Sequence, residues 1–180
     1  MREPVNIFLI GPMGSGKSTI GRLLAHELGS PFVDSDHEIE YRCGCNIPWI
    51  FDVEGESGFR AREAKVIDQL TQYEGIVLAT GGGAIKYAAN REYLRERGIV
   101  VFLNTSVAQQ LRRTARDRNR PLLQCDNPEV KLRDLMNERE PLYRKTAHII
   151  INTEKRSPRG VIAEIKRNLK HYRQKHATTK

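Results

Sequence analysis

An α/β fold, three layers with a five-stranded parallel sheet between helices, is predicted by three features of the chain. Short unbroken apolar runs recur along it: Asn6–Ile10, Pro31–Val33, Ile76–Thr80, Ile99–Leu103 and His148–Ile151. Runs without polar alternation suit parallel strands covered on both faces. Between consecutive runs lie stretches with apolar residues at helical spacing, which gives a repeating β-α pattern. The third feature is Gly11-Pro12-Met13-Gly14-Ser15-Gly16-Lys17-Ser18-Thr19, placed between the first run and the first helix. Its spacing, G-x-x-x-x-G-K-S, is that of the phosphate-binding P-loop. Glycines let the backbone N–H groups turn inward around an anion, and the helix N-terminus adds partial positive charge. In such sheets ligands sit beyond the C-terminal ends of the strands.

Taken in order, the first helix shows Ile20, Leu23, Leu24 and Leu28 on one face. The second strand runs into Asp34-Ser35-Asp36, where Ser35 or Asp36 caps a helix towards Cys43. Gly44 to Asn46 breaks that helix. A short helical piece, Ile47–Val53, carries Trp49, Ile50 and Phe51 and forms one wall of an acceptor pocket. Glu56–Gln72 follows, with Phe59, Val66, Ile67 and Leu70 on one face. Gly81-Gly82-Gly83 ends the third strand, and Asn90 caps the helix through Leu94. Ser106 caps the next helix. The polar stretch around Pro121-Leu122-Leu123 is long for a connection and reads as a mobile lid. Asn127-Pro128 starts a helix that weakens at Pro141. Val161, Ile162, Ile165, Leu169 and Tyr172 mark a last helix, with disorder expected from Lys175. The expectation is one domain over 1–180, with an acceptor-binding segment at about 34–62, a lid at about 114–127 and a tail at about 175–180.

Composition narrows the class. No window has the ~18 consecutive apolar residues of a membrane span, and the N-terminus lacks the order of a signal peptide. Cys43, Cys45 and Cys125 are too few and wrongly spaced for a zinc knuckle, so reduced thiols in a cytoplasmic protein are expected. A monomer is expected as well. The net charge of +8 favours anionic partners. These are either nucleic acid or nucleotide phosphates together with an acidic substrate. A basic nucleic-acid-binding protein would use Arg112 to Arg120 and the tail, but it leaves the P-loop and the paired aspartates without a role. Neither nucleic acid nor membrane is therefore expected as a partner.

The strand ends carry the chemistry. No Asn-Lys-x-Asp stretch is present to read guanine, and the third strand ends in glycine where an ATPase motor needs a carboxylate to orient water. The carboxylates follow the second strand, which favours a kinase with a bound acceptor. Lys17 is placed for the β- and γ-phosphates and Ser18 for Mg2+. Asp34 and Asp36 point the same way if the strand continues through them. One can then hold the water shell of Mg2+, and the other can accept the acceptor's hydroxyl proton. Arg60 and Arg139 suit a carboxylate, and Arg116, Arg118 and Arg120 can reach phosphates from the lid.

The stretches GPMGSGKSTIGRLLA (11–25), FVDSD (32–36), FDVEGESGFRAREAKVI (51–67), VLATGGGAI (77–85), RNRPLL (118–123) and NEREPLYRKTA (137–147) occur in this order. On these the chain resembles the shikimate kinases, small members of the nucleoside monophosphate kinase-like P-loop fold. The similarity runs from about residue 5 to 170. Related small kinases for gluconate or nucleotides share the P-loop without the rest of the set, and they are the alternative reading. The resemblance implies ATP-dependent phosphorylation of the 3-hydroxyl of shikimate, a step towards chorismate and the aromatic amino acids. It implies that Gly14, Ser15, Gly16, Lys17, Ser18 and Thr19 hold the ATP phosphates, with Ser18 on Mg2+ and Asp34 reaching the metal through water. Lys17, Asp36 and Arg120 would be catalytic. Asp36, Arg60, Gly82 and Arg139 would bind shikimate, flanked by Gly81 and Gly83 and lined by Phe51 and Phe59. Arg113 and Arg156 would flank adenine.

Overall fold

The computed structural model of the chain describes residues 5–117 and 120–177. Five strands, β1 (Ile7–Ile10), β2 (Phe32–Asp34), β3 (Val77–Ala79), β4 (Ile99–Asn104) and β5 (Ile149–Asn152), form one parallel sheet. Its order is β2-β3-β1-β4-β5. The helices are α1 (Lys17–Leu28), α2 (Ser35–Cys43), α3 (Ile47–Leu70), α4 (Ala88–Arg97), α5 (Val107–Thr114), α6 (Pro128–Thr146) and α7 (Pro158–Ala177). Strand alternation divides the core into two layers. Phe8, Ile10, Leu78, Val100 and Phe102 face α2, α3, α4 and α6 through Ile39, Ile67, Leu94 and Tyr143. Ile7, Leu9, Val77, Val101 and Leu103 face α1 and α7 through Ile20, Leu24, Val161 and Ile165. The three-layer α/β/α architecture is the one the sequence predicts.

Several local readings need correction. On α1 the buried face is Lys17, Ile20, Gly21, Leu24 and Ala25, while Leu23 and Leu28 are exposed. Small residues win that face because the helix lies close to its neighbours: a Cβ on Gly21 would come within 2.6 Å of the Phe32 ring. The cap of α2 is neither Ser35 nor Asp36 but Asp34, whose Oδ1 accepts the N–H groups of Asp36 (3.0 Å) and His37 (3.4 Å). β2 therefore ends at Asp34, and Asp36 stands in the first turn of a helix, not along a strand. Asn90 does not cap α4, which begins at Ala88. It lies buried inside the helix and donates to the Ala84 carbonyl at 2.9 Å. α6 passes through Pro141 to Thr146. Pro141 is exposed, so water can reach the Asn137 carbonyl that it leaves without a helical donor. α7 continues to Ala177, so the disorder expected from Lys175 does not hold for 175–177, and 178–180 lie outside the described residues.

Other expectations hold. Ser106 caps α5 by accepting Gln109 N–H at 3.2 Å, and Asn127 caps α6 by accepting Val130 N–H at 3.2 Å. The break between the two helical pieces of α3 is Gly55, at φ 70° and ψ −179°, a conformation that favours glycine. The kink turns Phe51 and Phe59 towards each other, with ring centroids 4.9 Å apart. Trp49 is 53% exposed, so it is not part of the wall that Ile47 and Phe51 make.

Candidate active site

Three chain segments meet beyond the C-terminal ends of β1, β2 and β3. The strand order explains the meeting: β3 lies between β2 and β1, so Gly81–Gly83 is flanked by Asp34 on one side and the P-loop on the other. The P-loop residues Gly14, Gly16, Lys17, Ser18 and Thr19 line one cavity together with Asp34, Asp36, Thr80, Gly81, Gly82, Arg113 and Arg120. Gly16, at φ 92°, sets the entry to α1. The Lys17 ammonium donates to the carbonyls of Gly11 and Pro12, both at 2.8 Å, and to Ser15 Oγ at 3.4 Å. Burial, and then the nearby Arg120, lower its pKa to about 7 against the opposing pull of Asp36 and Asp34. A phosphate in this cradle would restore the charge.

Ser18 Oγ donates to Asp34 Oδ2 at 2.5 Å. One hydroxyl and one carboxylate beside a phosphate cradle fit Mg2+, which keeps most of its ligands as waters and phosphate oxygens. Among the described residues no group of three or more His, Cys, Asp or Glu is placed to hold a metal.

The adjoining cavity is lined by Asp36, Phe51, Phe59, Arg60, Glu63, Gly81, Gly82, Gly83 and Arg139, together with Arg120, Pro121 and Leu122. Asp36 Oδ1 is sealed and has no hydrogen-bond partner among the described residues. Burial, then Glu63 and Asp34, raise the Asp36 carboxyl to about 7, although Lys17 and Arg120 oppose this. Arg60 lies over the Phe59 ring at 5.1 Å and pairs with Glu63 at 2.7 Å and Glu56 at 3.3 Å. Arg139, 3% exposed on α6, leaves Nε and Nη2 without partners among the described residues. Two unpaired nitrogens of one buried guanidinium need an anionic acceptor.

The three glycines have different reasons. A Cβ on Gly81 would lie 2.7 Å from both Asp36 Oδ1 and Glu63 Oε1, and one on Gly83 would collide with the Arg60 guanidinium. At Gly82 a Cβ would meet only ordinary contacts, at 3.4 Å and beyond. What holds the Gly82 backbone is the Tyr143 hydroxyl, which donates to its carbonyl.

Arg120 lines both cavities and pairs with Asp117 at 2.8 Å. Arg116 is not among the residues lining either cavity, and Arg118 lies outside the described residues. Arg113 donates to the Gly14 carbonyl at 2.8 Å. Arg113 and Arg156 share a further cavity with Ser15, Gly16, Thr19 and Pro158. Arg156 itself is engaged with Glu164 and with the Gly160 carbonyl.

Sequence reasoning missed three residues here. Glu63 is fully buried under Arg60; a glutamate three residues after Arg60 on a helix was the available signal. Ser35, also buried, accepts the Gly81 N–H at 3.1 Å and ties the glycine loop to α2. Tyr143 stacks on Phe102 at 5.0 Å and fixes Gly82. The last two act through the backbone of another segment, a link that no local pattern reveals.

The family description "Shikimate kinase" matches residues 13–170. The shikimate kinase of Chromohalobacter salexigens is 63% identical over 164 residues, 91% of each chain. That of Pseudomonas aeruginosa is 59% identical over 166 residues, 92% of this chain and 96% of its own. The solved shikimate kinase of Acinetobacter baumannii in complex with shikimate superposes with a TM-score of 0.90 at 57% identity, covering 92% of each chain. With the P-loop, the triple-glycine turn and the arginine-lined cavity on one sheet edge, the chain belongs to the shikimate kinase family.

Proposed function

We propose that this protein transfers the γ-phosphoryl group of ATP to the 3-hydroxyl of shikimate, giving shikimate 3-phosphate and ADP on the way to chorismate. The observation that carries the reading is the cavity next to the P-loop. It offers a buried guanidinium with two unpaired nitrogens, Arg139, and an aspartate of raised pKa, Asp36, to one small molecule. Shikimate has a carboxylate for Arg139 and Arg60 and hydroxyls for Asp36, while Phe51 and Phe59 supply the apolar wall.

In the transfer, Asp36 takes the proton of the attacking hydroxyl. The hydroxyl oxygen bonds to the γ-phosphorus as the bond to ADP breaks, and the leaving β-phosphate keeps the electron pair. Lys17 and Arg120 place positive charge where it builds on the transferring oxygens. Mg2+, held by Ser18 and, through water, by Asp34, would neutralise phosphate charge. Arg113 and Arg156 flank the adenine end. The protein acts as a cytoplasmic monomer; no helix among the described residues is long and apolar enough to cross a membrane.

Residues at about 114–127 act as a lid. Arg120, Pro121 and Leu122 line an acceptor cavity of only about 70 Å³, well below the ~300 Å³ of a typical small-molecule site, so the segment shifts to admit substrate. Replacing Arg120 with Ala lowers kcat about tenfold or more, while calorimetric binding of shikimate without nucleotide stays within about twofold. A large loss in that titration contradicts a role confined to closure. The function itself is tested by coupled ADP release with shikimate, gluconate and nucleoside monophosphates as acceptors. Turnover with shikimate alone is expected, and preference for another acceptor refutes the assignment.

A further inference from the structure

The fold gives Gly82 no reason to be glycine. Its φ does not lie in the left-handed region, and a Cβ there would meet nothing closer than the Met13 backbone nitrogen at 3.4 Å. The missing side chain leaves room between the two cavities, both of which Gly82 lines. It also leaves the backbone loosely restrained, since both neighbours are glycines and ordering such a segment costs entropy. The restraint comes from other elements. Ser35 Oγ accepts the Gly81 N–H at 3.1 Å, and the Gly81 carbonyl accepts the Ala84 N–H at 3.2 Å. The Gly82 carbonyl accepts the Tyr143 hydroxyl, which comes from α6. In a trans peptide the N–H and C=O point opposite ways, so the Gly82 N–H is turned away from Ala84.

Tyr143 is itself firmly held. It is fully buried and stacked on Phe102 of β4, with ring centroids 5.0 Å apart. Burial raises its pKa above the ordinary phenol value, so the hydroxyl keeps its proton and remains a donor. Arg139, one turn earlier on α6, lies beside the same hydroxyl, and the two residues share a small cavity with Pro12 and Met13.

We propose that Tyr143 is a positioning residue for the acceptor: its one hydroxyl sets the Gly82 backbone in register with the Arg139 guanidinium, so that donors from two distant segments meet the same small anion. This rests on the reading of the cavity as the acceptor site. Tyr143 lines neither the acceptor cavity nor the P-loop cavity, so its effect passes through those two groups. Without the hydroxyl they lose their common reference, because Gly82 follows the turn after β3 and Arg139 follows α6. A misplacement of about 1 Å at a reacting site can cost roughly 10²-fold in rate, so small shifts here are felt.

Tyr143→Phe keeps the ring and its stacking and removes only the hydroxyl. The KM for shikimate, and its calorimetric Kd without nucleotide, are expected to rise about 5–30-fold, while the KM for ATP stays within about twofold. Combined with Arg139→Lys, the variant is expected to lose less shikimate affinity than the product of the two single losses, because both act on one contact. A merely structural tyrosine lowers Tm and leaves both KM values in place. That result overturns the proposal, as does an equal rise in both KM values or a pair of losses that simply multiply. A measurement on the nucleotide-free wild-type protein is independent of how the variant folds. The buried Tyr143 hydroxyl proton is expected as a slowly exchanging NMR resonance that shifts when shikimate is added. Lack of such a resonance, or one unmoved at saturating shikimate, overturns the proposal. If calorimetry shows that the wild type binds no shikimate, the acceptor reading fails instead, and the two failures are distinguishable.

Discussion

Asp36→Asn is expected to lower kcat by roughly 10²–10⁴-fold, the span of a lost general base, while the KM for ATP stays within about twofold. Asparagine keeps the shape and the hydrogen-bonding reach but cannot take the proton. The same substitution is expected to stabilise the protein. The Asp36 carboxyl is raised from 3.8 to about 7, so between these values the folded state holds a proton that the unfolded chain has released. Its contribution is complete below about pH 4 and is lost as pH rises through about 7. Above that, the folded protein carries a charge that burial and Glu63 oppose. Asparagine removes this cost. Allowing for water that reaches the outer oxygen in the open cavity, the gain at pH 8 is about 1–3 kcal/mol, or roughly 3–10 °C in Tm for a chain of this size. It should shrink as pH falls and vanish below about pH 4. A variant that melts no higher than wild type at pH 8 shows that Asp36 is not strained in the free enzyme. A variant with near wild-type turnover shows that Asp36 only closes the pocket. Function held at the expense of stability is what a buried catalytic carboxylate implies.

Arg139→Lys is expected to raise the KM for shikimate by roughly 10–150-fold, the equivalent of about 1.5–3 kcal/mol for charge-assisted hydrogen bonds. Charge is conserved, but a planar fork whose Nε and Nη2 await partners is replaced by one ammonium. Lysine can place a charge near the substrate carboxylate but cannot meet both oxygens from one rigid plane. The KM for ATP is expected to stay within about twofold, because Arg139 lines the acceptor cavity and is not among the residues lining the P-loop cavity. Steady-state kinetics with each substrate varied at saturation of the other decides the matter. An equal rise in both KM values would place the contribution of Arg139 in the scaffold, through α6 and its neighbour Tyr143, and not at the carboxylate.

The sequence by itself determined the layer architecture, the P-loop and the list of polar residues at the strand ends. The reasons are local. Short apolar runs rich in β-branched residues, such as Ile99–Leu103, suit strands covered on both faces, and glycine at Gly16 permits the turn into α1. The guanidinium chemistry of Arg60 and Arg139 is legible in the residues, but a neighbour such as Pro141-Leu142 sets Arg139 only weakly apart from a surface arginine; the motif resemblance assigns it, and burial makes its empty nitrogens costly. Spatial order was decided by the tertiary structure. Placing β3 between β2 and β1 puts Gly81–Gly83 between Asp34 and the P-loop, an order that strand patterns do not encode. The fold also decided that Asp36 belongs to a helix and not a strand, because the Asp34 carboxylate captures the first free N–H groups of α2 and ends β2 there. Glu63 lay furthest from view. Its setting depends on a carboxyl group 27 positions away in the chain and on a glycine between them small enough to let the two groups face each other.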